Sequence, residues 1–222
     1  MSIPACDEDQ AACELHCPAA KQGFYTSYGK RALDLSTSAI GLLVLLPLLL
    51  AIAIGIKLTS RGRVLFRQTR VGRHGRRFNI LKFRSMYSGD ANGSAITVAG
   101  DRRVTPFGKF LRRSKLDELP QLWNVFRGEM SLVGPRPEVP AYVAHYTPEQ
   151  RVVLSVRPGI TDPSSLAYRH EETALDAASD PECFYRTHIL PDKLARSSAY
   201  LQSVTFSSDL RIILQTLGSS LF

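Results

Sequence analysis

The sequence holds none of the short motifs that would name a chemistry outright. There is no Walker-type phosphate loop and no GxGxxG turn. His74, His145, His170 and His188 stand at no metal-binding spacing and near no linked Ser or Cys motif, so they read as ordinary surface or core residues. Cysteine is scarce: Cys6, Cys13, Cys17 and Cys183, with no CxxC pair. Six and then three residues separate the first three, and with His16 nearby this is poor spacing for a zinc knuckle. A disordered acidic tail over residues 1–27 is the favoured reading there, with metal binding or acylation of a tail cysteine as the alternative. Nothing calls for an oxidising compartment. Internal repeats and low-complexity arrays are also missing, which excludes a solenoid.

Charge is missing in particular places. Residues 1–20 have four acids, Asp7, Glu8, Asp9 and Glu14, and no Lys or Arg. Residues 61–113 reverse the balance, with 14 Lys and Arg against Asp90 and Asp101. The net charge is +8 over 222 residues. A basic block beside an apolar one points to an anionic partner: lipid headgroups, nucleic acid or a phosphorylated substrate. A solvated basic face is the bland alternative.

Residues 35–56, LSTSAIGLLVLLPLLLAIAIGI, contain no charge at all. At about 1.5 Å per helical residue the run is just long enough to cross a bilayer's hydrocarbon core. It starts too late, runs too long and lacks the cleavage site of a signal peptide. Lys30 and Arg31 precede it, and Lys57, Arg61, Arg63, Arg67 and Arg70 follow it. Basic residues stay on the cytoplasmic side, so a straight span would place one basic end wrongly. Pro47, mid-run, removes a helical donor and bends the helix. A re-entrant hairpin entering one leaflet fits these features. A kinked single span is the alternative, and a buried helix in a water-soluble core fits least.

Residues 64–70 and 78–84 read as two strands joined by a basic turn, and 88–100 as a Gly/Ser/Asn-rich loop. Residues 107–116 read as a helix. Leu116, Leu119, Trp123 and Phe126 recur at helical spacing, and Ser114 with Asp117 resembles a capping box. Pro120 allows a later start, and Gly128 ends this helix. Residues 131–140 read as a rigid proline loop, 141–156 as a helix, and 191–217 as two further helical stretches.

Asp117 and Glu118 follow the basic block directly. On a helix they point about 100° apart, so one can attack while the other holds a metal. A carboxylate that attacks phosphorus must approach an anion, and Arg side chains, a helix N-terminus or Mg²⁺ cancel the repulsion. Arg112, Arg113 and Lys115 are near in sequence. Arg136 sits between Pro135 and Pro137, which stiffens its backbone and suits it to a phosphate. The bland readings are helix capping by the acid pair and a simple Arg136–Glu138 ion pair.

Several stretches resemble the bacterial monotopic phosphoglycosyl transferases, the initiating sugar transferases of polysaccharide and glycoconjugate assembly. They are KRALD (30–34), the apolar run with Pro47, LFRQTRVGRHGRRFNILKFRSM (65–86), TPFGKFLRRSKLDELPQLWNVFRGEMSLVGPRP (105–137) and RPGIT (157–161). The resemblance implies a helix-rich α/β fold: a compact cytoplasmic domain over residues 59–222, a Pro47-broken re-entrant membrane helix over 28–58, and amphipathic helices on the inner leaflet of a bacterial inner membrane. It implies that Asp117 is the nucleophile on the β-phosphate of a UDP-sugar, releasing UMP and holding the phosphosugar, which a polyprenol phosphate (undecaprenyl phosphate) then accepts. Glu118, with Asp117, matches the acids at Mg²⁺. Lys82, Arg112, Arg136 and Arg157 match basic, phosphate-binding positions. Inner-membrane lipid is the expected partner, nucleic acid is not, and a homodimer is left open. The chain looks like the minimal catalytic form, without the extra transmembrane helices of larger members.

Two departures stand out. Leu46 precedes the breaking proline where the family often has Ser, so a hydroxyl for the freed carbonyl is missing. After RPGIT comes Asp162-Pro163-Ser164-Ser165 where many members have Gly-Trp. Two rivals follow from the residues: direct attack by the lipid phosphate in a ternary complex with Asp117 only binding metal, and a non-catalytic scaffold gripping anionic lipid.

Overall fold

The computed structural model describes residues 25–87, 101–168 and 171–221. The tail cysteines, His16, the 88–100 loop and His170 lie outside the described residues. What is described is a helix-rich α/β fold with two small sheets.

The apolar run forms two helices, α1 (Lys30–Val44) and α2 (Leu46–Thr59), bent by 60°. The break is at Leu45 (φ −84°, ψ 0°), two residues ahead of Pro47, which has no N–H for a carbonyl four residues back. It forms without a hydroxyl at position 46. No single helix is long and apolar enough to cross a membrane among the described residues. The two halves rest on the same body. α1 packs against α4 (Gln121–Arg127), and α2 against α3 (Pro106–Arg113). Ile52 and Ile56 of α2 are buried with Phe83 and Leu111.

The hairpin appears as read from the alternation. β1 (Leu65–Val71) and β2 (Arg77–Phe83) pair antiparallel, from Leu65 opposite Phe83 to Val71 opposite Arg77. Its basic turn places His74 in the left-handed region (φ 56°) next to Gly75 (φ 74°).

Three local expectations are corrected. The helix over 107–116 is shorter: α3 starts on Thr105, whose side chain accepts the Gly108 N–H at 2.8 Å, and ends at Arg113. The capping box at Ser114 does not form. Its hydroxyl donates back to the Phe110 carbonyl at 2.8 Å, because Lys115 turns left-handed (φ 55°) and ends the helix there. A 3-10 turn, Leu116–Glu118, follows, and α4 begins after Pro120 and ends on Gly128 (φ 82°). Second, the 131–140 loop begins as a strand, β3 (Ser131–Val133), parallel to β4 (Gly159–Thr161). Third, the helix over 141–156 is broken into α5 (Pro140–Val143) and a 3-10 helix, Gln150–Ser155. Thr147 and Gln150 form a reciprocal capping box instead, at 2.9 and 3.3 Å, with Pro148 inside it.

The rest is helical: α6 (Pro163–Ala167), α7 (Glu171–Asp176), α8 (Pro181–Phe184), α9 (Leu190–Gln202) and α10 (Phe206–Leu221). A π turn, Tyr185–Ile189, joins α8 to α9 through Leu190 N–H to the Tyr185 carbonyl, and Pro191 next to it supplies no N–H of its own. Tyr142, Tyr146, Tyr185, Leu190 and Leu194 form the core beneath these helices. The ends of the described chain meet at Asp209, which is 1% exposed. Lys30 and Tyr200 donate to it, as does Tyr25 at 2.7 Å.

Candidate active site

Four elements converge on the acid pair. The turn before α4 presents Asp117 and Glu118, β2 presents Lys82, the segment after β3 presents Arg136, and the end of α3 presents Arg112. The left-handed Lys115 reverses the chain so that both acids turn inward. Asp117 is 8% exposed.

Glu118 is the hub. Its Oε1 accepts from Lys82 Nζ and from Arg136 NH2, each at 2.7 Å. Burial alone would raise its carboxyl, but the Arg136 and Lys82 charges hold it well below the usual carboxylate range. Burial and the neighbouring Arg136 lower the Lys82 ammonium, against the pull of Glu118 and Asp117. Glu118 raises the Arg136 guanidinium, so it stays charged.

Asp117 is different. Its Oδ1 is buried without a hydrogen-bond partner. Burial, then the adjacent Glu118 charge, push its carboxyl up to about 6, while Lys82, Lys115 and Arg112 oppose this. It is therefore a carboxylate at neutral pH with one oxygen uncommitted. Both the ion-paired acid and the uncommitted one lie in a field of more positive than negative side chains, which suits an anionic ligand.

The Arg136 segment is fixed from both sides. Gly134 N–H bonds the Thr161 carbonyl at 3.0 Å, and Gly159 N–H bonds the Pro135 carbonyl at 2.9 Å. A Cβ on Gly159 would lie 2.2 Å from the Gly134 nitrogen, so this approach needs glycine. Arg70 donates to the Pro137 carbonyl at 3.0 Å, and the Arg136 N–H donates to Asp162 Oδ2 at 3.1 Å. The simple Arg136–Glu138 pair is not what forms. Glu138 instead accepts from Tyr185 at 2.7 Å and pairs with Arg70 at 3.4 Å.

Lys82, Arg136, Asp117 and Glu118 are thus together, with Arg112 near enough for its charge to favour ionised Asp117. Arg157 is elsewhere. Its Nε donates to the Gly128 carbonyl at 2.9 Å, beside Arg31, which donates to the Val125 and Phe126 carbonyls at 2.7 and 2.9 Å. The two guanidiniums satisfy the C-terminal carbonyls of α4, a need set by the helix end. Sequence reasoning missed Arg70 and the hold of Asp162 on Arg136. The sequence reads RPGITDPSS as a loop; α6 starts within it at Pro163, and nothing local links it to Arg136.

No group of three His, Cys, Asp or Glu side chains placed to hold a metal occurs among the described residues. Mg²⁺ does not require one, since it commonly takes one or two carboxylates plus substrate phosphates. The unpartnered Asp117 oxygen beside Glu118 fits that donor set.

A profile described as bacterial sugar transferase matches residues 25–222. The chain is 51% identical over 140 residues to an undecaprenyl-phosphate glucose phosphotransferase of Komagataeibacter xylinus, covering 60% of this chain but 26% of that protein. It is 39% identical over 196 residues to a UDP-glucose:undecaprenyl-phosphate glucose-1-phosphate transferase of Caulobacter vibrioides, covering 86% of this chain and 69% of that protein. An exopolysaccharide production protein, PSS, of Rhizobium leguminosarum bv. phaseoli is 38% identical over 200 residues, covering 86% of this chain and 94% of that protein.

Proposed function

The chain belongs to the bacterial sugar transferase family, and from that premise we propose that it moves a sugar 1-phosphate from a UDP-sugar to undecaprenyl phosphate at the inner face of a bacterial inner membrane. The observation that carries this is the acid pair: Asp117 with a buried, uncommitted oxygen, next to Glu118 clamped by Lys82 and Arg136.

The chemistry follows from the division between them. A carboxylate oxygen of Asp117 attacks the β-phosphorus of the UDP-sugar. The bond from that phosphorus to the bridging oxygen breaks, and UMP leaves with the electron pair. The phosphosugar is then an acyl phosphate on Asp117. A phosphate oxygen of undecaprenyl phosphate attacks the same phosphorus, and the Asp117 carboxylate is regenerated as the leaving group. Lys82, Arg136 and Arg112 neutralise the equatorial oxygens as charge shifts, a role that needs preorganised cations. Mg²⁺, which Glu118 with Asp117 would hold, supplies further charge neutralisation on the diphosphate when bound.

The apolar pair α1–α2 supports a re-entrant membrane seat. Leu43, Val44, Leu46, Leu48 and Leu50 around the bend are exposed, and both outer ends pack on one domain. Exposed Phe110 on α3 and the stacked pair Trp123 and Phe126 on α4, 5.6 Å apart, suit an interfacial belt. They lie on the elements flanking Asp117, so a lipid acceptor would meet the acid pair at headgroup depth.

The test uses full-length protein in nanodiscs with UDP-glucose first, as in the name of the Caulobacter vibrioides relative, then a UDP-sugar panel. With β-³²P donor and no acceptor, label is expected on Asp117 with up to one UMP per chain. Undecaprenyl phosphate should then discharge it. UMP formed only when acceptor is present would favour direct attack, and no turnover with any UDP-sugar would remove the enzyme reading.

A further inference from the structure

We propose that Asp162 is a positioning residue that sets Arg136 in place for phosphate, acting through the Arg136 backbone. Asp162 is 1% exposed and directly follows β4. Its Oδ2 accepts the Arg136 N–H at 3.1 Å. Ser164 donates to the same carboxylate, 2.8 Å from Oδ1 and 2.9 Å from Oδ2, and Ser197 of α9 lies 3.3 Å from Oδ2. The carboxylate is thereby locked from α6 and α9 before it meets Arg136.

The geometry explains why the lock matters. Pro135 and Pro137 carry no N–H, so between Gly134 and Glu138 Arg136 has the one amide that can anchor the segment. Gly134 is already tied to β4, and Arg70 holds the Pro137 carbonyl. Asp162 supplies the remaining anchor at the residue whose side chain reaches Glu118. A guanidinium that must meet developing phosphate charge within a fraction of an ångström depends on such support. The Asp162 charge also favours the Arg136 guanidinium, but the backbone anchor itself needs only an acceptor, which an amide at 162 keeps.

Two measurements separate this idea from the transfer reading on which its activity arm rests. Hydrogen exchange on the full chain in nanodiscs needs no turnover. Asp162→Ala should speed exchange at Arg136 at least tenfold, and Asp162→Asn less than threefold, with peptides of β1 and β2 unchanged. Unchanged Arg136 exchange in Asp162→Ala would overturn the proposal even if no substrate is turned over. In the assay, Asp162→Ala should lower kcat at least tenfold with the UDP-sugar KM within threefold, and Asp162→Asn should restore kcat to within threefold of the natural chain. In an Arg136→Ala background, Asp162→Ala should cost less than twofold. An equal loss in both backgrounds would mean that Asp162 acts on the fold generally, and would overturn the proposal. Should Asp162→Ala fail to fold, Ser197→Ala is measured the same way. It should give a smaller rise in Arg136 exchange, and no rise would count against the lock.

Discussion

The two adjacent acids are shifted in opposite directions by their surroundings, and this can be measured. Asp117 has a carboxyl raised to about 6 by burial and by Glu118. Its raised folded value means that ionised Asp117 costs stability: the folded state is favoured below the ordinary carboxyl range, and that advantage is lost as pH rises through about 6. Asp117→Asn should therefore abolish labelling and turnover yet stabilise the protein at pH 7.5, on the order of 1–3 kcal/mol, read by denaturant unfolding in detergent. In the natural chain, kcat/KM for UDP-sugar should rise with pH through about 6, since attack needs the carboxylate. Mg²⁺ held by Asp117 would lower this midpoint, so a midpoint that added Mg²⁺ does not move down would count against Asp117 as the titrating nucleophile. Glu118 has the opposite sign. Its depressed value means that its stabilisation is present above the ordinary carboxyl range and is lost as pH falls toward the folded value. Glu118→Ala leaves Lys82 and Arg136 without the carboxylate oxygen they share, and should cost about 3 kcal/mol in the same unfolding experiment at pH 7.5. Adjacency and two flanking prolines marked Asp117, Glu118 and Arg136 as candidates, and their expected roles came from the family resemblance. Arg157 was read as a phosphate-binding position; its Nε donates to the Gly128 carbonyl, a contact between residues too far apart for any local window of sequence to show.

At the scale of elements, what was legible was periodicity and what was hidden was competition. The β1–β2 hairpin follows from alternation, and the stop at Gly128 from its left-handed turn. The break in the 141–156 helix lay in Thr147-Pro148-Glu149-Gln150, a capping box that interrupts the apolar positions between Tyr146 and Val152. α3 offers a sharper case. Gly108 lies where α3 crosses the exit of β2, and a Cβ there would stand 2.0 Å from the Ser85 carbonyl oxygen. Helix propensity alone favours Gly→Ala by about 1 kcal/mol, but a backbone oxygen cannot move aside cheaply. Gly108→Ala should lower stability by at least about 1 kcal/mol and lower turnover, because α3 carries Arg112. Gly218→Ala on α10, where a Cβ meets nothing within 4 Å, is the control and should be neutral or stabilising by up to about 1 kcal/mol. If both substitutions behaved alike, the close crossing would carry no weight.

For the whole molecule, the proposed membrane seat turns on which side the two ends of the apolar pair would occupy. The sequence made the bend legible through Pro47, but it credited Lys30 and Arg31 with topology through charge alone. Lys30 is instead spent on Asp209, and Arg31 on the end of α4. These contacts tie the start of α1 to α10 and α4, while the end of α2 is tied to α3. A straight span would tear one of these attachments from the domain, including the paired charge on Asp209, at a cost of several kcal/mol. A re-entrant seat keeps both. The check starts from a chain freed of its four cysteines. Single cysteines are then placed at Tyr28, 72% exposed, and at Leu58, 82% exposed, sites that leave Lys30 and Arg31 intact. Both should be labelled by an impermeant maleimide in inverted vesicles and neither in intact cells stripped of outer membrane. Labelling of the residue-28 cysteine from outside would establish a spanning helix. Asp209→Asn weakens the tie to Lys30 without touching the apolar run. If that tie holds the ends together, this variant should shift part of the residue-28 cysteine to outside labelling while the residue-58 cysteine stays inside.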